Sequence, residues 1–317
     1  MAAVQPYSPV LHRFALANLV VNVAIVVTGG AVRLSNSGLG CPTWPRCTDD
    51  SYVATPEMGI HGAIEFGNRT LTGVVGVIAL ISVLLAWRMH RRGELRWALG
   101  VLAGVAVQGL VGGATVRVRL NPWVVGMHFL LSIALIAVTY GLVRATARIG
   151  SPNPPNPRGA RPLVIATTVA SAAVLVAGVL VTGAGPHSGD TGAARNGFDP
   201  EQISQIHADL VFLVLGLTLA AVFLLPGRAP KVLLGVLLGQ GLIGFVQYFT
   251  DLPRVLVAAH MLGACLVWIA TLRLWPSIKS AAGPSGELTS ASTVGHQPSA
   301  ERSLEDNLTV ANTAGNR

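Results

Sequence analysis

Gln108-Gly109-Leu110-Val111-Gly112 is followed, 20 residues after its glutamine, by His128; Gln240-Gly241-Leu242-Ile243-Gly244 is followed at the same interval by His260. Each glutamine sits in an apolar run of helical length, and each histidine opens the next run. A polar side chain is costly in hydrocarbon, so the recurrence points to a duplicated site built inside a membrane. Composition agrees. Of 317 residues, 51% are hydrophobic and only 11% charged, against about 25% charged in a soluble domain.

Eight apolar runs are long enough to cross a bilayer core, which needs about 20 helical residues. They lie near 14–34, 60–87, 95–116, 123–143, 162–183, 204–225, 231–249 and 254–275. Only His12 and Arg13 lie close before the first, and no small-residue cleavage site follows it. It is expected to stay as a signal-anchor, and without a transit peptide a bacterial cell membrane is expected. Arg88, Arg91, Arg92 and Arg96 follow the second run, Arg144, Arg148, Arg158 and Arg161 the fourth, and Arg228 and Lys231 the sixth. The opposite loops hold Asp49, Asp50, Glu57, Asp190, Asp199, Glu201 and Asp251. This asymmetry predicts a multi-pass protein with both termini cytoplasmic. The net charge of +8 is accounted for by those loops. No basic patch interleaved with aromatics appears, so no nucleic-acid partner is expected; membrane lipid is.

The proline-rich stretch Ser151-Pro152-Asn153-Pro154-Pro155-Asn156-Pro157 reads as a stiff linker between two halves. Val27-Thr28-Gly29-Gly30 near the end of the first run echoes Val181-Thr182-Gly183-Ala184 at the end of the fifth. With an even number of helices per half, such repeats are parallel, related by an axis along the membrane normal. The fold expected is an all-α membrane protein whose eight transmembrane helices form two pseudo-symmetric four-helix bundles. Its parts are a cytoplasmic N-terminus (1–13), a first half (14–150), a linker (151–161), a second half (162–276) and a disordered cytoplasmic tail (277–317). Glycines crowd the third run (Gly100, Gly104, Gly109, Gly112, Gly113) and the seventh (Gly235, Gly239, Gly241, Gly244). They serve either close helix packing or space for a large flat ligand; the sequence is compatible with both.

His61, His128, His207 and His260 all fall near the outer ends of even-numbered runs. One such histidine is ordinarily interfacial or hydrogen-bonded. Four together, two of them in a repeat, point to iron ligation by His128, His207 and His260, because facing imidazoles in a bundle form a natural axial pair for haem. Zinc or copper fits less well, since no third and fourth ligand cluster nearby. In the second run His61, Glu65, Asn68 and Thr72 share one helical face. Glu65 and Arg69, four apart, either neutralise one another or present a carboxylate inside the membrane able to pass protons. Asp209, just after His207, has a structural or haem-propionate role; Arg33, Arg117 and Arg119 either pair with propionates or snorkel at the interface. Cys41 and Cys47, on the oxidising side, suggest a disulfide that is a staple or a redox couple. Cys265, inside the eighth run, reads as a small core residue.

Taken together these residues resemble the haem A synthase family, membrane enzymes that convert haem O to haem A for cytochrome oxidase. The matching pieces are Gly30-Ala31-Val32-Arg33-Leu34 with Ser37-Gly38-Leu39 and Cys41, Trp44-Pro45 and Cys47; Glu65 and Arg69; and Gln108 to Gly113 with His128. In the second half they are Gly183 to Asp190, His207, Gln240 and His260. The likeness covers about residues 12–275. It implies haem b held by His207 and His260, the haem O substrate in the first half on His128, and a catalytic role for Glu65, with Arg69 holding its charge. It also implies partners: haem O synthase, cytochrome oxidase assembly and an electron acceptor or donor.

The chain departs from the family at Asn68, where many members carry histidine. The internal repeat sets Asn68 against His207, Ile64 against Ile203 and Leu71 against Leu210. Either His61, seven residues outward, serves a displaced haem, or His128 holds the first-half iron alone; an open position would suit oxygen or peroxide activation. The expected activity is oxidation of the haem O ring methyl to a formyl group, an oxidoreductase acting on a CH group. The alternatives are a quinol-linked di-haem electron-transfer cytochrome that modifies nothing, and a transporter, for which parallel repeats are also common.

Overall fold

Prolines and capping side chains start the helices earlier than the apolar runs suggest. In the computed structural model, which describes residues 7–147 and 157–278, Ser8 caps a first helix that begins at Pro9. Asn121 precedes Pro122 and accepts from the Trp123 N–H, and Asp199 precedes Pro200 and accepts from the Gln202 N–H. Proline at a first helical position wastes no hydrogen bond, and Asn, Asp or Ser before it satisfies an orphan N–H. The helices are α1 (Pro9–Leu34), α2 (Gly59–Arg88), α3 (Arg92–Arg117), α4 (Pro122–Thr146), α5 (Ala160–Ala184), α6 (Pro200–Leu224), α7 (Ala229–Phe249) and α8 (Arg254–Leu272). Among the described residues these eight are long and apolar enough to cross a membrane, and there is no strand. The chain is an all-helical membrane protein.

Two boundaries move. Residues 9–13, expected in the N-terminal extension, belong to α1, and Ala160 and Arg161, expected in the linker, open α5. Most of the proline-rich linker and nearly all of the expected tail lie outside the described residues.

Helix α1 packs on α2 and α4, and α3 lies between α2 and α4; α5 packs on α6 and α8, and α7 lies between α6 and α8. The pattern is consistent with two pseudo-symmetric bundles. Each ring is sealed at one end only. In the first, Ala15, Val75, Ala79, Ala98, Val101, Val105, Leu135 and Leu142 are buried together. In the second, Ala160, Val164, Ala170, Val214, Ala221, Leu225, Leu233, Leu237 and Leu274 are. Both clusters gather toward the end where α2 meets α3 and α6 meets α7. The opposite end, where α1 runs into the 35–58 loop and α5 into the 185–199 loop, carries His61, His128, His187, His207 and His260.

A seam joins the rings. Val26 (α1), Ile133 and Ile136 (α4), Leu175 (α5) and Cys265 (α8) are buried against one another, so Cys265 is the small core residue its sequence suggests. The Trp268 indole N–H donates to the Ile133 carbonyl at 3.0 Å, and Met261 packs where Gly30 has no side chain. Within the first ring, Asn18 donates to Ser82 at 2.8 Å and Asn22 to the Asn18 carbonyl at 2.8 Å. The first of these joins α1 to α2, a polar contact of the kind that holds helices together where lipid gives no hydrophobic drive, and the second lies within α1.

Candidate functional site

Helix starts at the loop end set the depth of each histidine. His128 lies six residues into α4 (128 − 122), His260 six into α8 (260 − 254) and His207 seven into α6 (207 − 200), whereas His61 is only two into α2 (61 − 59). Four residues of helix are about 6 Å. His61 is therefore not at the depth of the other three. It is exposed, and its Nδ1 is 2.9 Å from Ser37 Oγ in the 35–58 loop.

The other three histidines are half-buried and share one kind of seat. His128 Cε1 lies 3.3 Å from where a Cβ on Gly112 would stand; His260 Cε1 lies 3.2 Å from such a point on Gly244, and His207 Cε1 3.2 Å from one on Gly178. Gly112 and Gly244 are the last residues of the two five-residue repeats, so the glycine copied with each glutamine seats the histidine copied with it. The glutamine fixes the same residue by another route. Gln108 Nε2 donates to the His128 carbonyl at 3.3 Å and to Ser132 at 2.8 Å, and Gln240 Nε2 to the His260 carbonyl at 2.8 Å. The remaining glycines differ in their neighbours. On α3 a Cβ on Gly100 would meet Val138, one on Gly104 would meet Leu135 and one on Gly113 would meet Trp44, which is close packing. Those on Gly109 of α3 and on Gly235, Gly239 and Gly241 of α7 would meet nothing within 4 Å.

His207 and His260 face each other across the second ring with ring centroids 6.4 Å apart and planes inclined by 62°. Two metal–imidazole bonds of about 2 Å plus two ring radii span about 6 Å. The His207 Nδ1 is 3.1 Å from the Val174 carbonyl; it therefore carries the proton and leaves the Nε2 lone pair for a metal, with the carbonyl as the outer partner that fixes the tautomer. The Nδ1 atoms of His128 and His260 are buried without a hydrogen-bond partner. The glycine seats, the ring spacing and the imidazole donors fit haem iron held between His207 and His260, and a second haem held at His128. Among the described residues no three acidic, cysteine or histidine side chains cluster as a bare-metal site would require.

The polar face of α2 is a clamp on the 35–58 loop. Glu65 is buried and accepts from the Cys41 N–H at 2.7 Å. Arg69 pairs with Glu65 at 2.5 Å and donates to the carbonyls of Cys41 (2.8 Å), Thr43 (2.9 Å) and Arg46 (3.1 Å). The loop they grip is closed by a Cys41–Cys47 disulfide. Asn68, on the same helix, accepts from the Thr28 hydroxyl of α1 at 2.8 Å. The expected common face of His61, Glu65, Asn68 and Thr72 is thus divided: His61 and Glu65 serve the loop, and Asn68 reaches α1.

Two of the three arginines weighed from sequence for propionates have other partners. Arg33 donates from Nε to the His187 carbonyl and from Nη2 to the Thr182 carbonyl at 2.7 Å, tying α1 to α5 and its following loop. Arg117 stacks 5.5 Å from the Trp44 ring and donates to the Trp44 carbonyl at 3.2 Å. Arg119 is exposed at the end of α3. Asp209 accepts from Gln205 at 2.8 Å on an exposed part of α6. Sequence reasoning overlooked Gly178 and the Val174 carbonyl; a glycine in the last third of α5 was the one available signal.

A family model described as COX15-CtaA, cytochrome oxidase assembly protein, matches residues 12–206. The chain belongs to that family. It is similar to proteins called heme A synthase. The one from Halalkalibacterium halodurans is 29% identical over 136 residues, 42% of this chain and 45% of the relative. Those from Geobacillus kaustophilus (31% over 133 residues, 40% of each chain) and Lysinibacillus sphaericus (34% over 134 residues, 40% of this chain and 42% of the relative) are comparable. The chain spans less than half the length of these curated relatives. The family match takes in the loop cysteines, Glu65, Asn68, Arg69 and His128 but stops one residue short of His207. The facing pair in the second ring rests on the internal repeat and on geometry.

Proposed function

We propose that this protein is a haem A synthase, an oxidoreductase that converts the ring methyl of haem O to a formyl group and supplies haem A for cytochrome oxidase. The observation that carries the reading is the facing His207–His260 pair, 6.4 Å apart on glycine seats, in a member of a family whose similar proteins bear that name. Methyl to formyl takes up one water and releases four electrons and four protons, so the site needs an electron outlet and a proton outlet. Haem b, when bound between His207 and His260, supplies one-electron redox chemistry on the way to an external acceptor. His128 holds the haem O substrate in the first half.

The chain's own residues do the rest. Gln108 and Gln240 hold the backbone of the ligand-bearing turns, and the glycines let the rings lie flat against α3, α5 and α7. Glu65 is the group proposed to move protons at the loop end, with Arg69 keeping its charge in place and Asn68 beside it. The disulfide loop they hold covers that end of the first ring. By the loop charges, this end faces outward from a bacterial cell membrane and both termini face the cytoplasm. Haem O synthase and cytochrome oxidase assembly are the expected partners, the first supplying substrate and the second taking product.

Co-expression with a haem O-producing enzyme, followed by extraction of bound pigment, tests the reading. Haem A or its alcohol precursor is expected, and loss of both with His128→Ala. Haem O recovered unchanged from a protein that carries haem b would leave the di-haem electron-transfer cytochrome as the better account.

A further inference from the structure

We infer that the first-half iron is held by His128 alone, and that its other axial face is open to a small neutral ligand of diatomic size beside the Asn68 amide. The inference rests on the haem reading above and deepens it. The first half contains four histidines: His12, His61, His90 and His128. His12 is 3.0 Å from Thr146 at the sealed end, and His90 lies just beyond α2 at that same end. His61 is tied to Ser37 in the loop and lies about a turn shallower than His128. Across from His207 the second ring presents His260; the internal repeat puts Asn68 where His207 stands, and α2 carries no histidine deeper than His61.

Methionine and cysteine do not replace the missing ring. Cys41 and Cys47 are joined, Met58 packs on Cys47 Sγ, Met89 accepts from Ser8 at the sealed end, and Met127 is exposed on the same helix as His128 rather than across from it. What stands in the ligand's place is an amide already oriented. Asn68 Oδ1 accepts from Thr28, which turns its NH₂ donors away from that contact, and Nδ2 passes 3.8 Å from where Gly29 would carry a side chain. Thr28, Gly29 and Asn68 are uncharged, while Glu65 and Arg69 neutralise each other, so nothing here favours an anion. An uncharged ligand that accepts a hydrogen bond is the class that suits an amide donor next to iron.

The test uses the full-length protein purified with both haems, reduced with dithionite and titrated with carbon monoxide while absorption is followed. One haem of the two is expected to bind carbon monoxide. Asn68→His should keep both haems and lose that binding, as a second imidazole closes the face; His61→Ala should leave it unchanged. Protein with two haems and no carbon monoxide uptake overturns the inference. So does uptake that survives Asn68→His with two haems, which would put it at the second-half pair, or uptake that rises in His61→Ala, which would make His61 the missing ligand. A protein that retains no haem at His128 overturns it by a different route, because the haem reading itself then fails.

Discussion

A single absent side chain decides how each imidazole lies. Gly178 and Gly244 present bare backbone to His207 and His260, and a methyl group at either place would press on a ring it meets at 3.2 Å. Overpacking of this kind costs about 1–3 kcal/mol. Gly244→Ala and Gly178→Ala should each lower haem retention by on the order of tenfold, measured as haem per protein after detergent washing. Gly239→Ala, whose methyl meets nothing within 4 Å, should be silent. At this scale the sequence was most readable where it was repeated. Glutamine, glycine and histidine were copied together because each touches the next, and that contact is visible as a fixed interval. The outward offset of His61 from Asn68 was readable from their spacing, but its attachment to Ser37 in the loop was not. A short 3-10 turn at Pro56–Met58 leads from that loop into α2.

Among elements, the 35–58 loop is the clearest case of structure imposed by a helix on a segment with no regular form. Arg69 satisfies three of its carbonyls and Glu65 one N–H. Removing one partner of a buried pair leaves the other uncompensated, at about 3–5 kcal/mol. Arg69→Ala should therefore make the loop markedly more sensitive to protease added from the loop side, with cleavage mapping to 42–55. The loop after α5 carries its own pH dependence. Burial first, then the Arg254, Arg33 and Arg195 guanidiniums, holds the His187 imidazole below its ordinary value. The docked loop thus favours neutral His187. Its docking is fully supported above about pH 6.5, the value for a hydrated imidazole, and weakens as pH falls. Thermal midpoints between pH 7.5 and 5 should fall in the native chain, with a smaller fall in His187→Gln. Neither loop was legible as a shape. Their cysteines, Arg33 and the Gly-Pro-His segment stood out, but what each would grip lies more than twenty residues away in the chain.

For the whole molecule, the eight spans were legible because hydrocarbon demands long uninterrupted apolar helices, and a chain with only 11% charge has few other ways to fold. How the two rings meet was not. The seam is made of ordinary aliphatic residues, Val26, Ile133, Ile136 and Leu175, with one indole reaching across to a carbonyl, and nothing in their spacing separates them from lipid-facing neighbours. Trp268→Phe keeps an aromatic ring but deletes the hydrogen bond and part of the indole's volume. It should lower the thermal midpoint by the equivalent of at least about 1 kcal/mol while leaving haem content of the folded protein unchanged.

Helix α8 follows the other seven described spans in the chain, and it packs on α1, α4, α5 and α7. During synthesis the first four helices can gather by themselves, since their neighbours are already inserted. His207 must wait for its counterpart, and the Val26–Ile133 surface must wait for its cover, until α8 arrives. Closing the second ring and completing the joint between the rings are therefore one event. A chain halted before Arg254 would keep the α4–α5 contact but lack both the partner of His207 and the rest of the seam.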